Sequence, residues 1–139
     1  MRHRLILRIV SKTLIPLIIL FALYVQFHGD YGPGGGFQAG VILGSAIILY
    51  TLVFGLDAAQ QAIPSTVLRL LACLGVLIYA GVGIATIFMG GNYLEYSVLA
   101  GTQVAGQHLG ILLVELGVGI AVFAVMLIIF FAFAGRGKA

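Results

Sequence analysis

H-G-D-Y-G-P-G-G-G-F-Q-A-G-V-I-L-G, residues 28–44, is the long polar, glycine-packed interruption in the first half of an otherwise apolar chain. It separates an apolar run that ends at Phe27 from another that begins at Phe37, and so marks a turn between two helices. It opens with an imidazole and an acid, His28 and Asp30, and continues through Gly32, Pro33, Gly34, Gly35 and Gly36. Pro33 fixes one dihedral and removes a backbone donor, and the glycines admit backbone shapes that other residues avoid. Four glycines in five residues exceed what an ordinary turn needs. Gly36, Gly40 and Gly44 recur at spacing four. On a helix they share one face and form a small-residue ridge, which in lipid lets two backbones approach closely.

Composition fixes the solvent of this chain. Of its 139 residues, 62% are hydrophobic and 8% charged, against about 25% charged in a soluble domain. Lipid therefore surrounds most of it, and no soluble catalytic domain fits beside the membrane segments. The single cysteine, Cys73, lies in an apolar run and excludes an intrachain disulfide or a cysteine metal site. No Ser/His/Asp arrangement, metal-ligand cluster or nucleic-acid surface is visible, so no cofactor, metal or nucleic acid is expected. The glycine run lacks the Lys-Ser/Thr ending of a phosphate loop. Asp30-Tyr31-Gly32 lacks the consecutive motif of a potassium filter.

The pattern predicts one all-α membrane domain over residues 1–139, with four transmembrane helices at about 5–27, 37–55, 67–89 and 108–134. Arg2, Arg4, Arg8 and Lys12 precede or enter the first span. No small-residue cleavage site follows it, so it reads as a retained helix rather than a signal peptide. Pro16 should kink it or distort its first turns. Pro64 marks a break after the loop L-D-A-A-Q-Q-A, and Ser65 or Thr66 can cap the third span. The second polar loop, 92–107, carries Glu95, with Tyr93 and Tyr96 as interface anchors. The fourth span, about 40 Å long, exceeds the roughly 30 Å hydrocarbon core and should tilt or project. An even number of spans puts all seven Lys and Arg on one side with both termini, which predicts cytoplasmic termini.

Glu115 is the sharpest single residue, set in H-L-G-I-L-L-V-E-L-G-V-G-I. A carboxylate is costly in lipid and calls for a neighbour or water. Two readings stand side by side: a hydrogen bond to a neighbouring helix, or a role in a proton or cation path. His108 lies two turns earlier on the same helical face, about 10 Å away along the axis. His28, Asp30, His108 and Glu115 all fall toward the side that the charge pattern makes the outer one.

P-G-G-G-F at 33–37 followed by small residues, together with H-L-G-I-L-L-V-E-L-G-V-G-I-A-V at 108–122, resembles the B subunit of Mrp/Mnh-type multisubunit sodium/proton antiporters. The resemblance covers essentially the whole chain, and Pro33, Gly34, Gly35, Gly36, Phe37 and Glu115 are its matching positions. It implies a small integral subunit in the cell membrane of a bacterium or archaeon, partnered by other integral subunits of an assembly that exchanges sodium for protons. It also implies that the main ion-translocating lysines and glutamates belong to larger subunits. Related subunits occur in membrane-bound hydrogenase complexes, which keeps that reading open. A stand-alone four-helix transporter is a further alternative, but such proteins carry an essential Glu in the first span, and this first span has no acid. A purely structural membrane protein is the last reading, separated from the first by whether neutralising the acids leaves transport intact.

Overall fold

The computed structural model describes the backbone of residues 2–29 and 31–136, with side chains from Leu5 onward, so Asp30 lies outside the described residues. The described chain is helical: α1 Arg2–His28, α2 Gly36–Phe54, α3 Leu56–Ala62, α4 Ser65–Phe88 and α5 Gln103–Gly135, with a short 3₁₀ turn at Tyr96–Val98. Four of these helices, all but α3, are long and apolar enough to cross a membrane. That choice of structure follows from the solvent. In hydrocarbon every backbone N–H and C=O must find a partner within the protein, and a helix satisfies them inside one segment.

Several local features differ from the sequence reading. The 56–66 connection holds a helix, α3, because Leu, Ala and Gln are good helix formers and Gly55, at φ +100°, turns the chain sharply between α2 and α3. Ser65 and Thr66 do not cap α4; Pro64 occupies the cap position with extended backbone and no side-chain hydrogen bond. The last long helix starts at Gln103 rather than near His108, because the Thr102 hydroxyl accepts a 3.3 Å hydrogen bond from the Ala105 N–H. At 33 residues α5 is about 50 Å long and projects well past a 30 Å core. α1 runs through Pro16 as one continuous helix.

The helices stand in the order α1, α2, α5, α4: α5 packs mainly on α4 and α2, and α1 mainly on α2. α1 buries the smallest share of its spanning length and α5 the largest. Toward the end of the molecule where α1 starts and α5 finishes, Ala59, Leu68, Phe123, Leu127 and Phe131 form a buried hydrophobic cluster. With lipid outside, expulsion of apolar surface does not drive this association; van der Waals fit does. That explains the glycines at the crossings. A methyl group on Gly40 would stand 2.6 Å from the Gly119 carbonyl oxygen, and one on Gly75 2.5 Å from that of Gly117. Gly44 is looser, with Met126 side-chain atoms 3.6 Å from such a methyl group.

Candidate functional site

The site lies at the other end, where α1 ends, α2 begins and α5 passes beside both. A turn closed by the Tyr31 N–H donating to the His28 carbonyl, 2.9 Å, leads out of α1. The segment then folds back on itself: a methyl group on Gly34 would stand 2.8 Å from the Val25 carbonyl oxygen and 3.2 Å from Gly29 Cα. Gly35 sits at φ +141°, a conformation reserved largely for glycine, and delivers the chain into α2.

The folded-back glycines enclose Glu115. A methyl group on Gly29 would stand 2.8 Å from Oε2 and 2.9 Å from Oε1 of Glu115, and one on Gly35 3.3 Å from Oε1. At Gly36 the methyl group would overlap the carbonyl oxygen of Glu115 itself. The half-buried carboxylate therefore rests directly on backbone from the end of α1 and the start of α2. Side chains on a helix lean toward its N-terminus, which carries the Glu115 carboxylate toward the loop and away from the middle of the membrane.

The two histidines border the same loop. His28 stacks on Tyr24 with ring centroids 5.1 Å apart, and a methyl group on Gly32 would stand 3.0 Å from its Nε2. His108, exposed near the start of α5, stacks on Tyr31 at 6.2 Å. The loop thus joins Glu115, His108 and His28 around one short stretch of backbone. Pro33 and Phe37 face outward, Phe37 being 63% exposed, and present an apolar edge beside the cradle. Among the described residues no three His, Cys, Asp or Glu side chains are grouped to hold a metal ion.

Gln26 is the residue that sequence reasoning missed. It is 7% exposed, and its Nε2 has no hydrogen-bond partner among the described atoms. A methyl group on Gly119 would stand 2.7 Å from its Oε1. Gly119 is one turn of α5 below Glu115, and Gln26 nearly one turn of α1 below Gly29, so the amide sits directly beneath the carboxylate cradle. Gln26 also borders an otherwise apolar cavity of about 300 Å³ lined by residues such as Ala22, Gly40, Leu71 and Phe123. The signal was present: an amide in an apolar helix is as conspicuous as an acid, but this one lies near the helix end, where polar residues are ordinary.

The second loop on this side is a packed cap. The Tyr93 ring covers Gly83 and the Tyr96 ring covers Gly110, leaving no room for a side chain at either glycine. Thr86, fully buried, donates to the Gly83 carbonyl at 2.8 Å and accepts from the Leu94 N–H at 3.0 Å. Leu94 takes a positive φ of 62° at that point. The Glu95 carboxylate accepts from the Asn92 N–H at 2.7 Å, the Asn92 amide at 3.0 Å and the Ser97 hydroxyl at 3.3 Å. The backbone hydrogen bond from Asn92, aided by Ser97 and the Asn92 side chain and opposed by some desolvation, holds Glu95 below its ordinary carboxylate value.

Comparison with known proteins matches the sequence of this chain to one family. Residues 6–128 fit the family model described as a domain related to the MnhB subunit of Na+/H+ antiporter. Proteins provisionally named antiporter subunit mnhB2 in Staphylococcus aureus strains Newman, JH1 and USA300 are each 32% identical over 133 residues, covering 94% of both chains. The glycine loop, the acid of α5 and four membrane-spanning helices thus sit in a multi-pass protein of the plasma membrane, and the chain belongs to the MnhB family of antiporter subunits.

Proposed function

We propose that this chain serves a sodium/proton antiporter complex of the Mrp/Mnh type as a small integral subunit, with both termini in the cytoplasm and the glycine loop outside. Within that complex, Glu115 in its glycine cradle forms part of a proton or cation path on the outer half, with His28 and His108 around its mouth and Asp30, a further candidate by its place in the sequence, joining them. The observation that carries this reading is the contact of the Glu115 carboxylate oxygens with the backbone of Gly29 and Gly35. A carboxylate at a membrane boundary can take up a proton or pair with a cation, and its preference responds strongly to what approaches it. Backbone packing also fixes where the oxygens stand, which a mobile loop would not do. The one-sided placement of Lys and Arg supports the orientation.

A tagged chain expressed with its neighbouring subunits should co-purify with other integral proteins and support sodium/proton exchange in membrane vesicles. Purified alone in liposomes it should carry none. Exchange by the isolated chain would overturn the subunit reading.

A further inference from the structure

The opposite end of the molecule holds a groove that the ion-path reading does not use. Arg8 and Lys12 are four residues apart on α1, so they lie on one face, one turn from each other. Arg8 borders a cavity of about 440 Å³ whose far wall is the end of α2, Leu52 to Phe54, with Gly55 beyond it. Lys12 borders a second, of about 370 Å³, with Ile15, Pro16, Tyr50 and Phe54. Phe54 lines both, which makes them adjoining parts of one α1/α2 groove. The Arg8 guanidinium carbon stands 5.9 Å from the Phe54 ring centroid, so the ring holds the cation at the groove mouth.

Charge and position define the occupant. Both cations are exposed, and neither is in an ion pair among the described residues. The described acid at this end, Asp57 on α3, borders neither cavity. From the cations toward the middle of the membrane the walls turn apolar, through Ile15 and Pro16. A ligand that fits has a negative head group and an apolar tail, in that order along the membrane normal. Two cations a turn apart favour a net anionic phosphodiester over a zwitterionic one. We propose that this groove binds an anionic phospholipid, with its phosphate between Arg8 and Lys12 and an acyl chain along Ile15, Pro16 and Tyr50.

The test uses the assembled complex in nanodiscs with photoactivatable phosphatidylglycerol, and phosphatidylcholine of the same chains as the comparison. Phosphatidylglycerol should label α1 and α2 peptides around residues 7–16 and 50–54, and phosphatidylcholine should label them weakly. In the double variant Arg8→Gln, Lys12→Gln, half-labelling should need about 30-fold more phosphatidylglycerol, the factor that two surface cations supply. The charge-retaining pair Arg8→Lys, Lys12→Arg should label like wild type. If the neutral variant fails to assemble, high salt on the wild type should still weaken phosphatidylglycerol labelling and leave phosphatidylcholine labelling unchanged. Equal labelling by both lipids, or labelling insensitive to charge and salt, would mean ordinary boundary lipid and would overturn the proposal. So would absence of lipid label because another subunit fills the groove.

Discussion

The carboxylate of Glu115 rests on the backbone of Gly29, so close that a methyl group on that glycine would stand 2.8 Å from Oε2. The contact joins residues far apart in sequence and ties three helices together: α1 through Gly29 just past its end, α2 through its cap Gly35 and first residue Gly36, and α5 through the acid. It gives the glycine run a physical purpose. Gly29 and Gly35 leave room for the carboxylate, Gly36 for the backbone of Glu115, and Gly34 for the backbone of Val25 and Gly29.

Substitutions along this run should therefore separate by position. Gly36→Ala would drive a methyl group into the Glu115 carbonyl oxygen and force α2 and α5 apart. A cost of about 1–3 kcal/mol, or failure to assemble, is expected. Gly35→Ala adds the strain of an alanine at φ +141°. Gly44→Ala, with its nearest neighbour at ordinary contact distance, should be tolerated. Thermal unfolding of the detergent-solubilised variants would check this order, and a Gly36→Ala protein as stable as Gly44→Ala would contradict the packing described.

Gln26 makes a different prediction. An unpaired buried amide costs about 1–3 kcal/mol, and leucine of similar size removes it. Gln26→Leu should raise the thermal midpoint of the solubilised chain. A lower midpoint would mean that the amide has a hydrogen-bond partner, from water or another subunit, which the leucine takes away.

Thr86 anchors the second loop through one hydroxyl that both donates and accepts. Thr86→Val leaves the Leu94 N–H without its acceptor at a cost of about 1–3 kcal/mol, whereas Thr86→Ser keeps the bond. Hydrogen exchange at the Leu94 amide should speed up in the valine variant and stay slow in the serine variant. Equal exchange in both would show that the loop is held by Tyr93 and Tyr96 alone.

The same loop should respond to acid. Glu95 is held below its ordinary value of 4.5, first of all by the hydrogen bond from the Asn92 N–H. A carboxylate with a depressed folded value stabilises the loop fully above its ordinary value and loses that contribution as pH falls through the folded one. Protection of the Asn92 amide should hold at neutral pH and decline only below about 4.5, the ordinary value cited for this group. Glu95→Gln should remove that decline, and an unchanged acid profile in the glutamine variant would assign it to another group.

Much of the architecture was legible because membrane constraints are severe. The apolar runs ending at Phe27 and beginning at Phe37 could be little other than helices once charge was so scarce. Short-range chemistry was harder to read. L-D-A-A-Q-Q-A looked like a loop between two spans, yet seven residues suffice for a two-turn helix when Gly55 turns the chain. Gln103 to Gln107 looked polar enough for a loop, and a threonine cap extends the helix through it. The candidate site was half legible. The glycine run and Glu115 each stood out against their surroundings, but their contact is tertiary, and no spacing rule links residue 29 to residue 115. Tyr93 and Tyr96, expected as interface anchors, cover glycines of α4 and α5, a use that depends on where the loop folds.

The most direct measurement of the central claim is sodium/proton exchange by complexes carrying Glu115→Gln, recorded across pH in everted membrane vesicles after confirming subunit assembly. Glutamine keeps the size of the side chain and one acceptor oxygen in the glycine cradle and removes its charge. If Glu115 belongs to the ion path, the variant assembles normally while exchange falls or its pH profile shifts. An assembled Glu115→Gln complex with wild-type rate and pH profile would contradict the account and leave the carboxylate a packing group.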